Sequence, residues 1–158
     1  MRLTSALLAI LLAACLVSGC VHRANLDRMD RAAFLSGDEA AADEVALGKR
    51  VTALFSVLRQ DKITTYNTRE KLRPFFRSEQ DLADFLAIYA SEFRSLQFRR
   101  DKLARFTIHD VRIEENGVIG LVRIDLSGWL YAFLPSKLKE VEEWQKSEGQ
   151  WYLTPTAR

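Results

Sequence analysis

The 158-residue chain carries 23 Lys and Arg against 21 Asp and Glu, a formal net charge of +2. That near-balance gives no overall electrostatic case for nucleic acid, and no nucleic-acid partner is expected. The two cysteines, at 15 and 20, both lie near the start, so the rest offers no disulfide frame, cysteine nucleophile or cysteine metal site.

Arg2 precedes an apolar run from Ala6 to Val17 that nothing more polar than Cys15 interrupts. The run is little more than half of the roughly 20 residues that a spanning helix needs. A positive start, an apolar stretch and small residues before a cut site make a secretory signal. Val17, Ser18, Gly19 and Cys20 then fill four positions in a way that resembles the bacterial lipoprotein signal, whose lipobox ends in an acylated cysteine. The resemblance implies a signal peptide over 1–19, a lipid such as palmitate on Cys20, and a membrane held through that lipid. Val21 stands where an aspartate would imply inner-membrane retention, so the implied location is the outer membrane, facing the periplasm.

From 20 to 35 the chain is expected to be the lipidated cysteine and a solvated tether. Arg23, Arg28 and Arg31 are largely cancelled there by Asp27 and Asp30. The domain is expected over 36–158, a size that suits one hydrophobic core.

Ser36 followed by Glu39 reads as a capping box, and Asp38, Glu39, Asp43 and Glu44 suit the positive end of a helix dipole. Leu47, Val51, Leu54, Phe55 and Leu58 repeat at helical spacing, which predicts an amphipathic helix ending near Gln60. Gly48 weakens this helix relative to alanine and is read as a mark of close packing. A short helical turn is predicted at Ile63–Tyr66, then a basic connector from Asn67 to Arg77 in which Pro74 disfavours a continuous helix. Phe75 and Phe76 are read as a plug for one end of the core. Ser78 and Asp81 repeat the capping pattern, and Leu82, Phe85, Leu86, Tyr89 and Phe93 define a second long helix.

Beyond Leu103 the apolar period shifts from 3.6 towards 2. Phe106–Ile113 predicts a strand, and Asn116-Gly117 a type I′ hairpin turn with positive φ at both residues. The return strand places Val118, Gly120, Val122, Ile124 and Leu126 on one face, and Ile119, Leu121, Arg123 and Asp125 on the other. Gly128–Leu134 (GWLYAFL) is the most apolar stretch of the mature chain, broken by Pro135-Ser136. It reads either as a core strand or as the lining of a pocket or partner surface. Residues 137–146 fit a short helix or a bulged strand; the strand is preferred because Ser147–Gln150 reads as a turn and Trp151–Leu153 as a closing strand. Trp144 and Trp151 then flank that turn, where cross-strand or diagonal aromatic contacts are expected.

Helices followed by antiparallel strands make an α+β order. Three stretches, Val51–Tyr66, Ser78–Phe93 and Val141–Leu153 (VEEWQKSEGQWYL), resemble the NTF2-like, cystatin-like cone superfamily. The resemblance implies N-terminal helices packed on a curved antiparallel sheet, with a pocket at the open end. Its members include isomerases, dehydratases, transport factors and non-enzymatic ligand-binding or assembly modules, so fold does not settle function.

In the enzymatic members the resemblance implies an Asp or His base inside the cone. Strand parity puts His109 on the face of Val111 and Ile113, a candidate inward histidine, and sends Asp110 and Asp125 outward. His22 and His109 form no metal-binding spacing, no phosphate-cradling or nucleophile-elbow motif occurs, and no cofactor is expected. Glu140, Glu142 and Glu143 read as a solvated run. The favoured expectation is a non-catalytic module that binds a small apolar ligand or an envelope protein through Tyr66, Tyr89, Trp129, Tyr131 and Phe133. The alternatives are an isomerase- or dehydratase-type enzyme using His109, and a structural component of an envelope or secretion assembly.

Overall fold

The stripe of Leu47, Val51, Leu54, Phe55 and Leu58 becomes the buried face of helix α1 (Asp38–Gln60), all five side chains fully enclosed. The computed structural model describes residues 28–60, 66–95, 105–130 and 134–155, with side chains at 66, 88–95, 128–130 and 134–138 excluded. Helix α2 (Tyr66–Leu72) runs into a 3-10 turn (Arg73–Phe75), and α3 spans Glu79–Ser95. Strands β1 (Arg105–Ile113), β2 (Ile119–Leu130), β3 (Leu134–Ser147) and β4 (Gln150–Thr154) form an antiparallel sheet in the order β1-β2-β3-β4. Among the described residues the architecture is therefore α+β, with helices against one face of an open four-stranded meander.

The helix starts divide the two capping expectations. At α3 the box closes reciprocally: the Asp81 amide donates to Ser78 Oγ at 3.0 Å, and the Ser78 amide to Asp81 Oδ2 at 3.1 Å. At α1 the first helical bond runs from the Ala41 amide to the Gly37 carbonyl, so Gly37, with φ near +100°, takes the cap position expected of Ser36. Of the predicted short helix, 63–65 lie outside the described residues, and helix occupies Tyr66–Leu72, reaching into the stretch read as a connector. Pro74 sits in the 3-10 turn that follows, where its missing amide costs little. Phe75 and Phe76 are buried as the expected plug, with the Phe76 ring 5.0 Å from that of Phe85.

The β1–β2 hairpin forms, with a different turn from the one expected. The Gly117 amide donates to the Glu114 carbonyl at 2.9 Å, and Gly117 alone has positive φ, at +67°. Asn116 keeps negative φ and instead accepts the Val118 and Ile119 amides on Oδ1, at 2.9 and 3.0 Å. Positive φ at two successive residues, the type I′ signature, occurs at Glu148 (+51°) and Gly149 (+76°), which join β3 to β4.

On β2, Val122, Ile124 and Leu126 face the helices, joined in the core by Trp144, Trp151 and Leu153. Residues 137–146 are strand throughout, as preferred. Pro135 does not break the strand: it belongs to β3 and pairs with Trp129, while Leu130 pairs with Leu134. The GWLYAFL stretch is therefore not one continuous core strand, since Leu130 closes β2 and Leu134 opens β3. It straddles the end of the β2–β3 hairpin, and 131–133 lie outside the described residues.

The expected tether also belongs partly to the domain. Residues 28–31 form a helical turn, Met29 is only 4% exposed, and it packs with Leu121, Val141, Phe34 and Ile119 on the sheet face away from the helices. Phe34 bridges Glu114, the Leu35 amide donates to the Ile113 carbonyl at 2.9 Å, and the Glu115 amide to the Ala33 carbonyl at 3.2 Å. The apolar outer-face residues Leu121 and Val141 require cover, and this strap supplies it.

Candidate functional site

Strand parity fails at His109 because the chain carries one extra residue there. Ile108 pairs with Ile124 and Asp110 with Arg123, so His109 is a bulge that inverts the alternation. Before it Phe106 and Ile108 lean inward; after it Val111 and Ile113 do. His109 itself is on the outer face with its side chain 46% exposed, and Nε2 lies 3.1 Å from Asp125 Oδ2. The histidine expected inside a pocket is thus on the surface, paired with an acid from the next strand. Asp125 thus stands where a carboxylate can orient the imidazole.

The inner face holds carboxylates that the pattern of charges concealed. Glu140 pairs with Ile124 and Glu142 with Val122, so both stand on the core-facing side of β3, and Glu140 is only 6% exposed. Trp144 Nε1 donates to Glu142 Oε2 at 3.2 Å. Reading these residues as a solvated run was wrong for Glu140. The signal that could have found it is the period-2 register with Trp144, two and four residues along. Glu140 is buried and Glu142 half-buried, and these are the carboxylates that the inner face offers for acid–base chemistry.

A polar groove forms where the corner before α3 meets β4. Two adjoining depressions of about 370 and 410 Å³ share Arg77 and Tyr152. Arg77 Nη1 donates to Gln145 Oε1 at 3.0 Å, and the Tyr152 hydroxyl to Gln150 Oε1 at 3.1 Å. Beneath it Arg50 holds the corner to the sheet: Nε donates to the Trp151 carbonyl at 3.2 Å, Nη2 to the Pro74 carbonyl, and Cζ stands 4.6 Å from the Phe75 ring centroid. Burial lowers the Arg50 pKa. The groove presents hydrogen-bond donors and acceptors, Asp81 and Glu148 among the latter, beside Phe76 and Tyr152, a surface for a polar ligand.

Across the outer face, Arg28 bonds Glu114 through Nε at 3.1 Å and also pairs with Glu143, while Arg123 Nη2 reaches Asp30 Oδ1 at 2.7 Å. Burial lowers the Arg28 pKa, but bonding to Glu143 and then Glu114 outweighs it, and the net direction is upward.

The aromatic set is dispersed over three elements: Tyr66 opens α2, Tyr89 lies within α3, and Trp129 is at the far end of β2. Their side chains, like Tyr131, Phe133 and Cys20 altogether, lie outside the described residues. Among the described residues no group of three or more His, Cys, Asp or Glu is placed to hold a metal, and no helix is long and apolar enough to cross a membrane.

No family model, curated protein or solved structure matches the chain. What the described residues define is an α+β domain built on a four-stranded meander, with an occupied inner face and two polar surfaces.

Proposed function

We propose that this is a lipid-anchored protein of the bacterial envelope, held through acylated Cys20 in the outer membrane. Its α+β domain is a non-catalytic NTF2-like cone that recognises an envelope protein or a small apolar ligand. The sequence Val17-Ser18-Gly19-Cys20 supports the anchor. The order helix, short helix, helix, antiparallel meander supports the cone. The observation that carries the binding role is the packing of the sheet's inner face. Leu47, Val51, Leu54, Phe55 and Leu58 fill it against Val122, Ile124 and Leu126 at essentially zero exposure. Space taken by the domain's own side chains favours recognition by the surface, and hence a protein partner over a small ligand. Tyr66, Tyr89, Trp129, Tyr131 and Phe133 remain the proposed contact residues.

An isomerase- or dehydratase-type reading has one observation in its favour, the inner-face carboxylates Glu140 and Glu142, and these replace His109 as its candidate groups.

Labelled fatty acid should enter the wild-type protein and not Cys20→Ala; equal labelling overturns the anchor. Trp129→Ala should lose the co-purifying envelope protein while keeping the wild-type melting curve, and retained binding overturns the contact surface.

A further inference from the structure

The strap and the bare part of the outer face together indicate how the domain is held. Arg28, Met29, Asp30 and Phe34 are all docked on the outer face, through Glu114 and Glu143, through Leu121 and Val141, through Arg123, and through Glu114 respectively. Cys20 precedes Arg28 by eight residues. Even fully extended, that connection spans at most about 26–29 Å. A lipid on Cys20 therefore keeps this face within one short tether of the bilayer.

Among the described residues the strap covers the outer face near the β1–β2 turn. In the register beyond it, Thr107, Asp125 and Lys139 form one cross-strand row, and Arg105, Ser127 and Lys137 the next. Arg105, Thr107, His109 and Lys139 are exposed there. Arg105 and Lys139 have no ion-pair partner among the described residues, and the one acid of these rows, Asp125, is engaged by His109.

We propose that the outer face of the sheet is turned to the membrane, and that its uncovered rows, centred on Arg105 and Lys139, bind anionic phospholipid headgroups. The charge of those rows and the docking of the strap, from Arg28 onward, on the same face are independent observations, and both favour this face. The inference rests on the lipid-anchored reading of Cys20. The helices, the far end of β2 and the Arg77–Tyr152 groove are then left for a partner in the periplasm. Binding is electrostatic and weakens with salt, because exposed charges are screened beyond about 10 Å at 0.1 M ionic strength.

The test places a fluorophore at Thr107→Cys on the outer face or at Lys49→Cys on the exposed side of α1, in the full chain reconstituted in vesicles. The vesicles are phosphatidylcholine with a minor share of phosphatidylglycerol and a headgroup-linked quencher. The label at 107 should be quenched about twofold or more over that at 49, and Arg105→Glu with Lys139→Glu should close the gap. Equal quenching at the two positions, or a gap indifferent to the charge reversals, overturns the proposal. Mass analysis of Cys20 scores the anchor separately. If no lipid is attached, the same labelled chains mixed with these vesicles still decide the face: preferential quenching at 107 sustains it and none overturns it.

Discussion

Gly120 lies directly beneath Leu47, so close that a Cβ there would overlap Leu47 Cδ2 while standing 3.2 Å from the Trp151 ring and 3.4 Å from Ile113 Cδ1. This is where α1 approaches the sheet, and a hydrogen in place of a methyl sets the spacing. Gly120→Ala should destabilise the domain by about 1–3 kcal/mol in urea melts, the usual cost of overpacking a filled core. Combined with Leu47→Ala, which vacates the space, its effect should shrink, giving a non-additive cycle. Additive losses would mean that the two residues do not meet.

Gly48 is the contrasting case. It is read as a mark of close packing, yet among the described residues a Cβ there meets only Val111 Cγ2, at an ordinary 3.8 Å. With helical backbone and available room, Gly48→Ala should raise stability by about 1 kcal/mol. A loss of stability on thermal melting would contradict this placement of the helix.

The two hairpin turns predict opposite signs. Gly117 has φ of +67° and open surroundings, with Leu35 Cδ1 3.8 Å from a would-be Cβ. Gly117→Val should therefore cost about 1–3 kcal/mol through backbone strain rather than crowding. Glu148 already occupies the left-handed region at φ +51°. Glu148→Asn, better tolerated there, should stabilise by about 0.5–1 kcal/mol. Unchanged melting in both variants would overturn the turn geometry.

Glu79 supplies the pH dependence. A hydrogen bond from Arg69 at 3.2 Å holds its carboxyl below the usual range, against the cost of desolvation, and Arg73 adds to the shift. A carboxyl depressed in the folded state stabilises above its unfolded pKa and loses that contribution as pH falls through the folded one. Wild type should therefore lose slightly more stability than Glu79→Gln on acidification, and the difference should fade in high salt because the pair is exposed. A larger acid sensitivity in Glu79→Gln would reverse the sign and refute the assignment.

Local pattern alone determined the buried stripe of α1, the cap at Ser78, the β1–β2 and β3–β4 hairpins and the sorting of β2 into inner and outer faces. Each depends on a helical or strand period, or on a turn residue, within about ten neighbours. The tertiary structure decided what depends on distant partners. Met29 became core because Leu121 and Val141, some hundred residues away, needed cover. His109 turned outward because one surplus residue against β2 inverted the parity, which no alternation within β1 reveals. Glu140 was carried inward by its register with Ile124, although its neighbours in sequence are charged. Periodicity reports which residues share a face; only long-range pairing decides which face is covered, and by what.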